Sequence, residues 1–253
     1  MVLHADHLVV RVNELNSAKS KFSQLGFCVI DGGKHTDNLS KNCLITFSDG
    51  WYIELIEFLK QPSSDHSLFS WFYKEEGPVD YAFYPDEDVS KTILEMGEKN
   101  VEYVGPIEGG RITPDGKKIR WKLGWPSRHD IPFLCADITP REWRVGKGSV
   151  HKNQACGLAS QTVVVVNLKE STQRFETLVG VRPFMKSENE ARFHLKNGVT
   201  LHLVHPTKDQ EEMYNFLIDN GEGPYSVELW SQKVGQAKFH VCGLNISFLQ
   251  MNQ

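Results

Sequence analysis

Cysteine is scarce and never paired in a C-x-x-C motif. The five residues, Cys28, Cys43, Cys135, Cys156 and Cys242, are scattered and odd in number. That excludes a zinc-finger or disulfide framework and favours a reducing compartment. Long apolar runs are missing too. The longest, Val163 to Val166, is strand-sized, far short of the about 18 residues of a membrane span. The N-terminal Met-Val-Leu-His-Ala-Asp-His has neither the basic nor the apolar region of a signal peptide. Nor does charge of one sign dominate. A formal net charge of −4, from 28 basic and 32 acidic residues, gives no reason to expect nucleic acid or an anionic membrane as partner. A Gly-rich phosphate loop, a nucleophile elbow around serine and an H-E-x-x-H motif are also missing. The expectation is a soluble, cytoplasmic protein that meets neither nucleic acid nor membrane.

What is present is ordinary globular material: 253 residues, 40% apolar and 24% charged, enough for one large or two modest domains. Residues 5–12 alternate as a strand, with His7, Val9 and Arg11 on one side and Leu8, Val10 and Val12 on the other. Ser17 offers an N-cap to a helix carrying Ala18, Phe22 and Leu25, which Gly26 closes. Phe27 to Ile30 predicts a second strand, Gly32-Gly33 a break and Cys43 to Phe47 a third strand. Asp49-Gly50 is a tight-turn dipeptide that leads into Tyr52-Ile53-Glu54-Leu55-Ile56-Glu57-Phe58. Alternation puts Tyr52, Glu54, Ile56 and Phe58 on one face, a carboxylate among apolar neighbours. The first βαβββ unit thus covers residues 4–58, and an aromatic patch from Leu68 to Tyr73 reads as a helical cover for an open end of the sheet.

The pattern restarts after Glu76-Gly77-Pro78. Asp80 to Tyr84, a helix marked by Val89, Ile93 and Met96, then Glu102 to Pro106, Lys117 to Gly124 and Ile131 to Ile138 make a second unit over residues 79–138. Residues 1–140 form the first domain of this reading, and a polar connector, 141–157, follows. Residues 158–253 repeat the first half in truncated form. Thr162 to Val166 mirrors Leu8 to Val12, Phe175, Leu178 and Gly180 mirror Phe22, Leu25 and Gly26, and Phe193 to Leu203 mirrors Thr46 to Leu55. Gly221-Glu222-Gly223-Pro224 mirrors Glu75-Glu76-Gly77-Pro78. Four matches fall in order, with offsets drifting only from 154 (Leu8 to Thr162) to 146 (Gly77 to Gly223).

Paired βαβββ units with a His on the first strand and a Glu on the last resemble the vicinal oxygen chelate superfamily, which includes the glyoxalases. Asp6-His7-Leu8-Val9-Val10, Leu25-Gly26-Phe27, Gly32-Gly33-Lys34-His35, Asn42 and Asp49-Gly50 through Leu55 carry the resemblance to its glyoxalase-like domain. Pro114-Asp115-Gly116, Arg120-Trp121 and Pro132-Phe133-Leu134 carry it in the second unit. The resemblance implies an α+β fold in which two units pair into a curved, mixed eight-stranded sheet with a ligand on its concave face. It also implies a divalent metal (Zn, Mn, Fe or Ni) bound from the first and last strands of each unit. Those positions are His7, Glu54 and Asp80, with Ala136 as a gap; Asp137 is expected to face away. The repeat offers Gln161, His202 and Ser226 there.

The resemblance further implies a ligand-facing role for His35 and Asn42, in the loop between the second and third strands. Tyr52 serves as wall, and Arg120 with Lys122 presents a basic strand face, Trp121 lying on the other, that suits a carboxylate or enolate if it lines the cup. Two functions follow. One is an enzyme on a small carbonyl or enol substrate, a lyase, isomerase, hydrolase or dioxygenase, with a metal as Lewis acid and Glu54 and His35 moving protons. The other is a metal-free protein that sequesters a small molecule. Pairing of incomplete units between chains makes a homodimer the expected assembly.

Overall fold

Strand alternation becomes a closed wall in the computed structural model, which describes residues 2–232 and 238–251. The first half runs β1 (Leu3–Arg11), α1 (Leu15–Gln24), β2 (Ile30–His35), β3 (Ser40–Thr46), β4 (Tyr52–Phe58), α2 (Phe69–Tyr73), β5 (Gly77–Pro85), α3 (Val89–Glu98), β6 (Tyr103–Ile112), β7 (Lys118–Pro126) and β8 (Phe133–Asp137). Its eight strands curve into a closed barrel of order β1-β4-β3-β2-β6-β7-β8-β5. Each unit contributes four neighbouring strands. The seams are antiparallel, β1 against β5 and β2 against β6.

Closure at the second seam explains a difference from the sequence reading. Gly32-Gly33 is not a break: β2 runs through both glycines, and the Phe27–Ile30 segment leads into it. Gly33 has φ +129°, and a Cβ there would lie 2.1 Å from the Ile112 carbonyl oxygen. Only glycine lets β2 come that close to β6. His35 and Asn42 consequently lie in strands β2 and β3 rather than in the loop between them. The first helix also starts earlier than Ser17 suggests, because the Glu14 side chain accepts from the Ser17 N–H and serves as N-cap.

After β8 the connector is not simply a loop. It holds a one-turn helix, α4 (Arg141–Arg144), whose Arg144 reaches into the barrel. Then follow β9 (Ala155–Val164), α5 (Leu168–Val179), β10 (Met185–Lys186), β11 (Glu190–His194), β12 (Thr200–Val204), α6 (Glu211–Asn220), β13 (Gly223–Ser231), β14 (Lys238–Val241) and β15 (Leu244–Gln250). These seven strands form an open sheet, β10-β11-β12-β9-β13-β15-β14. A single hydrophobic core joins the halves, running from Leu8, Phe22 and Phe47 to Phe175, Phe193 and Leu229. Polar ties reinforce it: Asp49 Oδ2 accepts from the Leu158 N–H at 2.8 Å, and buried Asp130 accepts from Ser171 Oγ and Arg174 Nη2, both at 2.6 Å. Among the described residues no helix is long and apolar enough to cross a membrane.

Registers correspond between the barrel and the open sheet. His202 pairs with Thr162 as Glu54 pairs with Val9, so Ser160, not Gln161, occupies the place of His7. Glu190 bonds His202 across twelve residues, as Asn42 bonds Glu54.

Candidate functional site

The barrel encloses a cavity of about 210 Å³ with a polar floor and an aromatic mouth. The floor is made by a local irregularity. Along a regular strand Asp6 and His7 would point to opposite sides, but the β1–β5 register shifts between Ala5 and His7. Both side chains are buried, and His7 Nδ1 lies 2.6 Å from Asp6 Oδ2. Arg144 donates to Asp6 Oδ2 at 2.9 Å, to the Tyr52 hydroxyl at 2.7 Å and to Asp137 Oδ2 at 3.0 Å. Arg141 adds a 2.6 Å ion pair with Asp6. Burial alone would push the Asp6 carboxyl up; Arg144, Arg141 and His7 outweigh it and hold the group well below the usual carboxylate range. Asp6 is therefore an acceptor only. His7 Nδ1 must be the donor, and its Nε2 faces Glu54 across the cavity.

Above this floor stands Glu54. Its Oε1 accepts from Asn42 Nδ2 at 2.7 Å. His7 Nε2 is 3.7 Å from Oε2, and His35 Nε2 is 3.5 Å from Oε1. Burial would raise the Glu54 pKa, but His35, His7, the Asn42 amide and Arg111 together lower it. Burial depresses the His35 imidazole, against the opposing pull of Glu54 and Asp37. A buried carboxylate thus stays ionised between the His35 and His7 imidazoles. Tyr52 stacks on His7, ring centroids 4.6 Å apart.

The upper wall is aromatic. Trp125 stacks on Phe133 at 4.9 Å, and Trp71 of α2 meets Trp125 edge-on at 5.6 Å. Trp121 lies edge-on to His35 and covers Gly109, where a Cβ would sit 2.5 Å from its Nε1. Gly109→Ala is expected to leave the barrel folded, displace the indole and shift tryptophan emission, as fluorescence and circular dichroism would show. Unchanged emission would contradict this placement.

Several expected site residues lie elsewhere. Asp80 does not join His7 and Glu54. The β1–β5 register sets Ala82 opposite His7 and Asp80 opposite Val9, so the expected ligand is one inward position too far along. Its carboxylate accepts from Trp71 Nε1 at 3.2 Å and the Tyr81 N–H at 2.8 Å. Burial pushes its pKa to about 7, against Tyr81, Lys74 and Trp71. Between the usual carboxylate range and that value the folded state keeps a proton the unfolded chain has released, so this group makes stability fall as pH rises. Wild-type tryptophan emission is expected to titrate with a midpoint at about 7. Asp80→Asn should abolish the transition; a titration surviving in the variant would contradict the assignment.

Arg120 is also outside the cavity. It is exposed and bonds Glu108 Oε2 at 2.7 Å, because the inward position belongs to Trp121. On β8 the inward residues are Phe133, Cys135 and Asp137, not Ala136; Asp137 bonds Arg144 and Ala136 packs outward against the main core. The Cys43 thiol donates to Asp31, and burial pushes its pKa up to about 12. Arg111 and Arg144, the cations that do line the cavity, escaped the sequence reading. Arg111 falls between the strands expected at Glu102 to Pro106 and Lys117 to Gly124, and Arg144 in the polar connector.

The metal implied by the resemblance needs several donors converging on one point. Among the described residues no group of three or more His, Cys, Asp or Glu side chains is arranged to hold one. His7, His35 and Glu54 come nearest, yet one Glu54 oxygen already accepts from Asn42 and the buried Arg111 guanidinium adds positive charge beside it. The residues do not fit the implied metal.

Two βαβββ units closing around a polar-floored cup define the vicinal oxygen chelate fold. Residues 5–179 match the glyoxalase-like domain family, and the chain belongs to it. No curated protein matches. Among solved structures, a hypothetical protein from Staphylococcus aureus aligns over 99% of this chain and 100% of its own, at 16% identity and TM-score 0.80. A mutant 4-hydroxymandelate synthase from Streptomyces coelicolor aligns over 94% of this chain and 77% of its own, at 13% identity and TM-score 0.62. At such identities the likeness is one of fold.

Proposed function

We propose that this chain is an enzyme that moves a proton at the carbon beside a carbonyl of a small substrate held in the barrel. The observation that supports this best is Glu54, a buried carboxylate kept ionised between two imidazole nitrogens at 3.7 and 3.5 Å. A general base needs that charge state at neutral pH and a place to send its proton. In this reading Glu54 takes the proton from carbon, and the electron pair moves onto the carbonyl oxygen as an enolate. Neutral His35 accepts the proton from Glu54 through Nε2. Tyr52, whose oxygen already accepts from Arg144, donates its O–H to the enolate oxygen. Asn42 fixes the rotamer of Glu54, and His7, fixed by Asp6, bounds its other side.

The test is solvent hydrogen exchange. Small carbonyl compounds with an adjacent C–H are incubated with the protein in deuterated buffer, and loss of that proton signal is followed by NMR. Exchange with wild type but not with Glu54→Gln supports the reading. Absence of exchange while such compounds bind would overturn it in favour of sequestration.

A further inference from the structure

Arg111 carries a charge that the proton-transfer reading leaves unexplained. It is 3% exposed and lines the cavity. Its Nη2 donates to the Arg144 carbonyl oxygen at 2.7 Å, and its Nε, fully buried, has no partner among the described residues. The neighbouring guanidiniums are each matched by carboxylates: Arg144 by Asp6 and Asp137, Arg141 by the same pair. Among the described residues Arg111 makes no such ion pair; the Glu54 carboxylate acts on it without a direct bond, and one of its oxygens already accepts from Asn42. A buried guanidinium without a carboxylate is costly, and a site that keeps one is suited to receive an anion. Its fork of N–H groups matches a carboxylate better than a point charge would.

Position narrows the class further. Arg111 pairs across strands with His35, so it stands beside the proposed proton path in the cavity wall. The same cavity is lined by Trp121, Trp125, Trp71 and Phe133, flat apolar surfaces that favour a planar body. A cavity of ~150 Å³ is known to take benzene. The 210 Å³ here leaves room for one ring and a short polar arm.

Resting on the proton-transfer reading, we infer that the substrate is a small carboxylic acid with a single ring or comparably flat apolar group, its carboxylate held by Arg111 and its ring between the indoles. A larger coenzyme-like molecule would not fit inside.

The experiment is a binding titration that needs no turnover. Benzoate and phenylacetate are titrated into the whole chain against their neutral amides, benzamide and phenylacetamide, by calorimetry and tryptophan quenching. The acids should bind at least about tenfold more tightly than the amides, the scale of a charge-assisted contact. Arg111→Gln should erase that preference, and Arg111→Lys should keep part of it. Equal affinity for acid and amide in the wild type would overturn the inference. So would a preference that survives Arg111→Gln in a protein of native circular dichroism. Should Arg111→Gln not fold, the wild-type ratio and Arg111→Lys decide. The two readings fail separately. Acid binding without deuterium exchange leaves the anion site and removes the base, whereas exchange on neutral carbonyls without acid preference leaves the base and removes the anion site.

Discussion

Arg144→Met is expected to lower unfolding stability by about 3–5 kcal/mol, the range for breaking a buried ion pair from one side. The side chain is 1% exposed and serves two carboxylates at once, Asp6 and Asp137. Arg141 alone would then face both acids, at 2.6 and 3.3 Å, and the Tyr52 hydroxyl would lose a donor. Against a typical total of about 5–15 kcal/mol such a loss is large. The pH dependence has a definite sign. The Asp6 pKa is lowered in the folded state, so its contribution is present above the usual carboxylate range and lost as pH falls through the folded value. The penalty of Arg144→Met should therefore be greatest at neutral pH and shrink in acid. Urea midpoints at pH 7 and at a pH below the usual carboxylate range would check this, and a penalty independent of pH would contradict the ion-pair account. Asp6→Asn combined with Arg144→Met should recover part of the loss, because the uncompensated charge goes with its partner.

Glu54→Gln is expected to reduce proton-transfer rate by roughly 10²–10⁴, the usual contribution of a positioned general base. The change keeps shape, and Gln can still accept the Asn42 N–H through its carbonyl oxygen, so stability should change little. The wild-type rate should hold as pH falls past the point where an ordinary imidazole protonates, since burial lowers the His35 pKa and the flanking groups lower that of Glu54. A rate that collapses at the ordinary histidine pKa would argue that His35 is not the relay.

What the sequence revealed and what it hid have the same physical cause, strand alternation. Where a strand is regular, its period of two is legible: alternation puts Tyr52, Glu54, Ile56 and Phe58 on one face, and the first three line the cavity. Where a bulge intervenes, alternation misleads. The shift between Ala5 and His7 brings Asp6 indoors beside its neighbour, and the paired register that displaces Asp80 is a property of two strands, invisible in either. Gly32-Gly33 looked like a break because glycine usually is one; here it permits an approach between β2 and β6 that no side chain could share. Arg144 was lost in a polar connector, because nothing in four residues of helix says that one of them fills the end of a barrel. The family resemblance was legible because it drew on order and spacing over more than half the chain.

The most direct test of the account is deuterium exchange into a ring-bearing oxo acid by protein dialysed against a strong chelator. Exchange is expected at the untreated rate, lost in Glu54→Gln and unaffected by adding back Zn, Mn, Fe or Ni. Exchange that vanishes on chelation and returns with one of those ions would contradict it, as would full exchange in the Glu54→Gln variant.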